Sequence, residues 1–595
     1  GYLTKMMERP SIKELIDESA NLRCVATFES CEDALAALQD ELAPDVILLD
    51  VDAAALDRAR SQLAAMWRQQ VDSGRLRAED AEAIEARTKY TQDYEDLRGA
   101  DIAWEVATER LDIKEKIFEA IERTVDPETV AAVFSNTSSH TTAELAILFQ
   151  SEVFREKFLT VHGYFPFEAN RLIDVMKGKY ASDETFAFGT VFADQILEKT
   201  VIALPVDHHG YITDPIFQAM AAVISWDIRT SRDIVQWGSL WELFTANPFN
   251  VLDRTGHMPY IESARHFGAA LPENDRLRGL YLRDGKHTPD WIAELSRAGD
   301  TGANAPSRRG FYAWSEGPAP RAERVFDPSC GDYVPIGDIS RKDYWSYYEA
   351  AERDRLAGKI KSAESLVHVA CADDAGGRAF RRYALPICLY ALDLIQDRIA
   401  SAGQINIATR AGLRFKVGLI ELIDALIAHL AIDGVIELIR RARDENADDP
   451  RTVDMLDIDG VSGPRKGTPS LLFELKRRNL NCLLAYGKYY RTPVAELDLD
   501  QSRDREEAVY RPCYLDIKCY EPSSRDRVAA IVMNNPLRGN VWNRATVDQM
   551  AYAYNRVLNL HRAGRCGAVL FTAAGSGMRM LGADAREFNR GWFER

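Results

Sequence analysis

Between residues 11 and 52 the apolar positions switch between helical spacing and short unbroken runs. SIKELIDESA reads as a helix, LRCVATF as a strand, CEDALAALQDEL as an amphipathic helix and DVILLD as a buried strand. Strand, helix and strand in that order make a βαβ unit, which implies a parallel sheet. From Ala54 to Arg87 the chain is charged, with Leu and Ala at helical spacing, and AWEVA and VAAVFS, ending near Ser135, supply further short strands. Strand and helix alternate to about residue 206, and beyond Pro215 the pattern is mostly helical. After about Arg511 it changes again: YLDIKCYE and VAAIVMNN read as strands, VDQMAYAYNRVLNL as a helix and GAVLFTAAG as a strand ending in glycine.

The helical stretch carries a weak internal repeat. Asn247 to Asp253 (NPFNVLD) and Gly418 to Asp424 (GLIELID) share an apolar framework ending in Leu/Ile-Asp, 171 residues apart (424 minus 253). That period fits two copies of one helical domain. TGANAPSRRG and SEGPAPRAER between them read as loop, and the polar ARDENADDPRT follows the second copy.

Length and composition narrow the class. A chain of 595 residues suggests about four domains at roughly 150 residues each. Hydrophobic and charged fractions of 46% and 28% are those of an ordinary globular protein, and the longest uncharged apolar stretches, such as Pro215 to Trp226, fall short of a membrane span. The first residues, GYLTKMMERPS, lack the basic and apolar regions of a signal peptide. Nine cysteines without a CxxC pair support neither zinc nor a disulfide framework, so reduced thiols and a cytoplasmic location are expected. A net charge of −17 argues against sequence-independent nucleic-acid binding while leaving an anionic substrate open, since that depends on local charge.

Candidate chemistry concentrates between Ala103 and Asp214. The cluster Ser135-Asn136-Thr137-Ser138-Ser139 follows a strand, where ligands of doubly wound sheets bind, although such a run also suits the cap of a following helix. His162 follows some 23 residues later and Asp174 twelve residues after that; together they can form a general base and its orienting carboxylate. The adjacent His208 and His209 point to different sides and have no carboxylate cluster beside them, so they read as solvent or pocket-edge residues, and no metal is expected.

Taken in order, these segments resemble the L-3-hydroxyacyl-CoA dehydrogenase family. Glu105, Glu109, Leu111 and Lys114 match its E-x-x-x-E-x-L-x-x-K stretch, and Ser135 to Ser139 match its SNTSS motif unchanged. His162 falls at the histidine of its HFFNP motif and Asp174 at the paired glutamate. Arg309-Gly310-Phe311-Tyr312 resembles the signature closing its helical domain, and the two repeats resemble copies of that domain. Long bacterial members add an enoyl-CoA hydratase (crotonase-like) domain; VAAIVMNNPLRGNVWN resembles its start and Gly582-Ala583-Asp584 its oxyanion loop.

Departures are equally specific. The G-x-G-x-x-G turn of the family is here Thr27 to Asp33, without glycine and with three acids. Residues 11 to 50 instead resemble part of a response-regulator receiver, in which Asp50 would accept a phosphoryl group; in the dehydrogenase reading Asp50 would accept hydrogen bonds from the adenosine ribose, and the downstream sequence favours that role. Phe165 and Asp214 stand where the family has asparagines, and Asp174 is one methylene shorter than glutamate.

The resemblance implies an α/β fold: a Rossmann-like doubly wound sheet, then two mostly helical dehydrogenase C-terminal-type domains and a partial crotonase-like domain. The expected bounds are 1–50 for the receiver-like segment, 51–206 for the NAD-binding domain, 207–340 and 341–500 for the helical domains, and 511–595 for the hydratase-like part. The implied activity is NAD-dependent oxidation of the 3-hydroxyl of an acyl-CoA, in β-oxidation or a related pathway. His162 would take the proton, Asp174 orient it and Ser138 bind the substrate oxygen. Asp50, Glu109, Lys114 and Asn136 would serve the cofactor, with Phe165 and Asp214 at the substrate. A homodimer or an assembly with a thiolase is the implied partner arrangement. A non-catalytic acyl-CoA or partner-binding protein and a hydratase are the alternatives, and the chain is expected to be the middle of a longer one.

Overall fold

The computed structural model describes residues 46–574 except 75, 165–166, 168–169, 318–319, 340–361, 503–507, 523–526, 536–539 and 541. The receiver-like segment before Val46, Phe165 and the Gly582 to Asp584 loop therefore lie outside the described residues. Contacts group the chain into two units. Among the described residues, the first holds those up to Thr137, Thr142–Val161 and Lys177–Thr190, and the second holds Ser138–Thr141, His162–Met176 and those from Val191 on.

In the first unit, β1 (Val46–Leu49) and β2 (Thr88–Thr91) pair in parallel, Val46 opposite Thr88. Between them lies α1 (Ala53–Asp72), started by Asp52, whose carboxylate accepts from the Ala54 N–H and so satisfies one of the free donors of the first turn. A second parallel set follows: β3 (Ile102–Glu105) pairs with β4 (Ala132–Ser135), and β4 with the start of β5 (Phe158–Gly163). Every residue of β4 is buried, as a strand covered on both faces requires. The crossover α2 (Leu111–Thr124) buries Phe118 and Ile121, three apart on one face, in a core with Val133, Phe149, Phe154 and Phe158. Phe118 stacks on Phe149 at 4.7 Å between ring centres. Each such aromatic contributes about 1.5–3 kcal/mol by leaving water.

In the second unit, β6 (Leu172–Met176) and β7 (Thr200–Leu204) pair in parallel and lead into α3 (Thr213–Ser225), a helix buried along almost its whole length. The repeat seen in the sequence then acquires a physical meaning. In α4 (Pro248–Thr255) the buried Asp253 carboxylate accepts from the Phe311 and Tyr312 N–H groups at 2.8 and 2.9 Å and from the Trp314 indole at 2.8 Å, and it faces Nε2 of His257 in the next helix, α5 (His257–Ala270), at 2.7 Å. The receiving strand β8 (Tyr312–Trp314) opens an antiparallel meander with β9 (Ala322–Asp327) and β10 (Asp332–Pro335). Gly310 is required beside it, because a Cβ there would stand 2.3 Å from Asp253 Oδ1.

The second copy repeats this. Asp424, in α6 (Leu419–Glu445), accepts from the Leu483 and Leu484 N–H groups at 2.7 and 2.9 Å and from the Tyr486 hydroxyl at 3.1 Å. Here β11 (Leu484–Tyr486) opens a meander with β12 (Pro493–Leu497) and β13 (Tyr510–Pro512). The separations from aspartate to the first N–H are 58 and 59 residues, so Phe311-Tyr312-Ala313-Trp314 corresponds to Leu483-Leu484-Ala485-Tyr486. The tail forms its own sheet: β14 (Ile517–Tyr520) runs antiparallel to β15 (Val528–Met533), which pairs in parallel with β16 (Ala568–Ala573) across the helix α7 (Arg544–Arg562).

Candidate functional site

Six of the motif residues in the first unit are tied to one another. Lys114, on α2, is buried with Glu105 at the end of β3 and donates to its Oε2 at 2.8 Å; the Ser135 hydroxyl donates to the same oxygen at 2.6 Å, and the Ala107 N–H takes Oε1 at 2.6 Å. Glu109 lies 3.7 Å from the Lys114 ammonium and accepts from the Thr137 hydroxyl at 2.7 Å. The Asn136 N–H donates to the Glu105 carbonyl. The Glu-x-x-x-Glu stretch and the start of the SNTSS run are thus one knot joining β3, α2 and β4. Both charges are out of water, so removing either partner costs about 3–5 kcal/mol. Lys114, only 1% exposed, is spent on this knot, whereas Glu109, about a quarter exposed, keeps a face open to a ligand.

Asp50 follows the C-terminal end of β1, hydrogen-bonded through Oδ1 to the Asp52 N–H at 2.8 Å and otherwise exposed. A carboxylate at a parallel strand's C-terminal end suits the ribose of a dinucleotide. Among the residues expected to hold the cofactor, Asp50 is exposed and Glu109 about a quarter exposed, whereas Lys114 is buried in its pair with Glu105.

The residues expected to carry the proton chemistry lie in the second unit. His162, at the end of β5 and 7% exposed, lies flat against the Tyr211 ring (centres 5.0 Å apart, planes 9° apart) and edge-on to Tyr164 (4.6 Å, 67°). Its Nδ1 is 3.7 Å from Asp174 Oδ2 and its Nε2 3.9 Å from Asp214 Oδ2. Asp174 is fully buried on β6, where a lone charge would be costly. Its Oδ2 is held by the Tyr164 hydroxyl, which also meets the hydroxyl of Thr213. Burial above all, with the carboxylates of Asp174 and Asp214 adding to it, pushes the Tyr164 phenol well above its usual value, so it stays protonated and donating. The missing methylene of Asp174 is thus visible as a gap: 3.7 Å is beyond a hydrogen bond, and a tyrosine has taken the oxygen.

Tyr211 is presented by a strained turn. Gly210 and Tyr211 both have positive φ (70° and 58°), a conformation costing a bulky residue about 1–3 kcal/mol, and a Cβ at position 210 would stand 2.7 Å from Phe267. His208 holds this turn rather than facing solvent: Nδ1 meets the Tyr211 carbonyl at 2.7 Å and Nε2 the Tyr390 hydroxyl at 3.4 Å. Burial lowers its pKa to about 4, so it is neutral at pH 7. His209 is also engaged, with Nδ1 3.2 Å from Nε2 of His266. Ser138 is half-buried in the same unit, and Asp214 occupies the first turn of α3, where the helix dipole favours a carboxylate.

Tyr164, Tyr211 and Thr213 were not singled out from the sequence. The available signal was their position: Tyr164 two residues after His162, and Tyr211 and Thr213 between the histidine pair and Asp214.

Residues 34–207 match the family described as 3-hydroxyacyl-CoA dehydrogenase, NAD binding domain. Over this stretch the chain resembles that family. Both the Glu105–Lys114 knot and the His162–Asp174 pair fall inside the stretch that matches this NAD-binding domain. Solved structures similar to this chain include a 3-hydroxybutyryl-CoA dehydrogenase from Escherichia coli, at 17% identity over 70% of this chain and 92% of that one with a TM-score of 0.47. Others are an (S)-3-hydroxybutyryl-CoA dehydrogenase from Ralstonia eutropha (22%, 48% and 94%, 0.39) and the dehydrogenase part of a multifunctional enzyme from C. elegans (14%, 70% and 89%, 0.36).

Proposed function

We infer that this protein oxidises the 3-hydroxyl of an (S)-3-hydroxyacyl-CoA to the 3-oxoacyl-CoA with NAD, in fatty-acid β-oxidation or a related acyl-CoA pathway. The observation that carries the reading is the buried His162 set between Asp174 and Asp214, in a chain whose residues 34–207 match the NAD-binding domain of 3-hydroxyacyl-CoA dehydrogenases. NAD, when bound, supplies the hydride acceptor; Asp50 and Glu109 are the residues placed to hold it.

His162 takes the hydroxyl proton on Nε2, since Nδ1 faces Asp174. Asp174 and Asp214 then lie on either side of the ring as it gains charge, and Tyr211 fixes its plane. Ser138 is assigned to the substrate oxygen. General-base action of this kind contributes about 10²–10⁴-fold.

The test is NADH formation from (S)-3-hydroxybutyryl-CoA by the full chain, with His162→Ala beside it. Turnover that falls at least a hundredfold in the variant is expected. Absence of NADH together with no heat of NAD binding in calorimetry overturns the reading.

A further inference from the structure

We propose that Arg171 is a positioning residue for the proton transfer: by tying the entry of β6 to the C-terminal sheet, it sets where Asp174 stands relative to His162. The proposal rests on the reading of His162 as the base, and all of its parts lie in the second unit.

Arg171 comes immediately before β6, three residues ahead of Asp174 and about 10 Å from it along the strand. Its guanidinium reaches into the tail. Nη1 donates to Asp516 Oδ1 at 2.7 Å, and Nη2 donates to the Leu515 carbonyl at 2.7 Å and to the Asn534 carbonyl. These acceptors sit on two segments already fixed to one another: Leu515 and Asp516 lead into β14, Asn534 follows β15, and the Asn534 N–H donates to the Asp516 carbonyl at 2.9 Å. Three acceptors on such a frame suit the planar, many-donor fork of arginine, whereas an ammonium is a single point of charge. With side chains 17% and 7% exposed, Arg171 and Asp516 form a geometric constraint rather than a loose surface pair.

The two faces of β14 divide the work. Ile517 and Cys519 pack into the tail's own core, while Lys518 and Tyr520, on the opposite face, hold Asp194: the ammonium is 2.5 Å from Oδ1 and the hydroxyl donates to Oδ2 at 2.6 Å. Asp194 lies in the short helical turn Phe192–Ile196 ahead of β7, the parallel neighbour of β6. The tail thus grips the approach to both strands, and of these contacts it is Arg171 that is continuous with the strand carrying Asp174.

The His162 site is sensitive to that grip. Asp174 Oδ2 stands 3.7 Å from Nδ1 of His162, so a small slip of β6 decides how well the carboxylate can hold the protonated ring. A misplacement of about 1 Å can cost on the order of a hundredfold in rate.

The experiment measures NADH formation from (S)-3-hydroxybutyryl-CoA by the full chain and by Arg171→Met, Arg171→Lys and Lys518→Met. Beside it, the His162 ring signal of histidine-labelled protein is titrated by NMR, assigned by its loss in His162→Gln. Asp174, Asp214, Tyr164 and Tyr211, which face that ring, are unchanged in all three variants. Arg171→Met is expected to lower kcat by about tenfold or more with KM within about twofold. It should also move the His162 titration to lower pH, because a displaced carboxylate stabilises the imidazolium less. Lys518→Met loosens the tail without freeing β6 and should keep kcat within about twofold of wild type. Equal losses in Arg171→Met and Lys518→Met, or an unmoved His162 signal in folded Arg171→Met, overturn the proposal. Should Arg171→Met not fold, Arg171→Lys, which keeps the charge and loses the fork, decides by the same two readings. A wild type that forms no NADH overturns the reading of the reaction instead, and the His162 signal still decides whether Arg171 sets the surroundings of that ring.

Discussion

Tyr164 donates its hydroxyl to the Asp174 oxygen that lies 3.7 Å from Nδ1 of His162. Two groups draw on one buried carboxylate, and the imidazole is the one left beyond hydrogen-bond range. Tyr164→Phe removes the competitor and leaves Asp174 to hold the protonated ring more strongly. The acid limb of the kcat/KM profile for hydroxyacyl-CoA oxidation should move to higher pH by about one unit, worth ~1.4 kcal/mol. An unmoved limb would show that phenol and imidazole do not compete. Asp174→Asn should lower kcat by about 10²-fold or more.

Asp214 puts a carboxylate 3.9 Å from the ring nitrogen assigned to the substrate. It would repel the alkoxide that forms as the hydroxyl loses its proton, whereas an amide would not. Asp214→Asn is therefore expected to raise kcat/KM several-fold, read from initial rates of NADH formation. A fall would mean that the carboxylate serves the reaction.

The Glu105–Lys114 pair should matter for folding more than for cofactor affinity. Lys114→Met strands a buried carboxylate and should cost about 3–5 kcal/mol, seen as a lower midpoint in urea. Glu105→Gln combined with Lys114→Met should recover much of that loss, with NAD affinity in calorimetry within about twofold of wild type. A loss of NAD binding that persists in the refolded double variant would instead put Lys114 at the cofactor.

Asp424 links stability to pH. Burial raises its carboxyl from the ordinary range near 4 to about 7, outweighing the donors from Leu483, Leu484 and Tyr486. The folded state then holds a proton that the unfolded state has lost, so this group's stabilisation is complete below about pH 4 and disappears as pH rises through about 7. Asp424→Asn should flatten that part of the pH dependence, measured as urea midpoints between about pH 4 and 8. An unchanged slope would mean that the group is ionised in the folded protein.

Much of this architecture could be read from residue patterns because it rests on patterns that are local. The short apolar runs ending at Leu49 and Ser135 became parallel strands. The Leu/Ile-Asp repeat marked two carboxylates that do the same job. Its partner strand in the second copy was not legible, because Leu-Leu-Ala-Tyr keeps only the backbone N–H groups and one hydrogen-bonding ring of Phe-Tyr-Ala-Trp. At the site, His162, Asp174 and Asp214 stood out as chemistry-bearing letters. The competition for Asp174 did not, since it depends on how a tyrosine two residues past His162 folds back. The bonding of His208 was hidden for a similar reason: it is set by a carbonyl three residues on, which residue type does not reveal.

The paired aspartates also set where this protein can be cut. Asp253 and Asp424 each fasten the start of a helical copy to a strand that arrives 58 or 59 residues later. A truncation ending between Asp424 and Leu483 would leave an interior acid with none of its donors, and the residue count of such a fragment would give no warning. Excised pieces should therefore run from before the aspartate to beyond its meander, and graftable segments of this chain are defined by those two long-range closures rather than by the loops between helices.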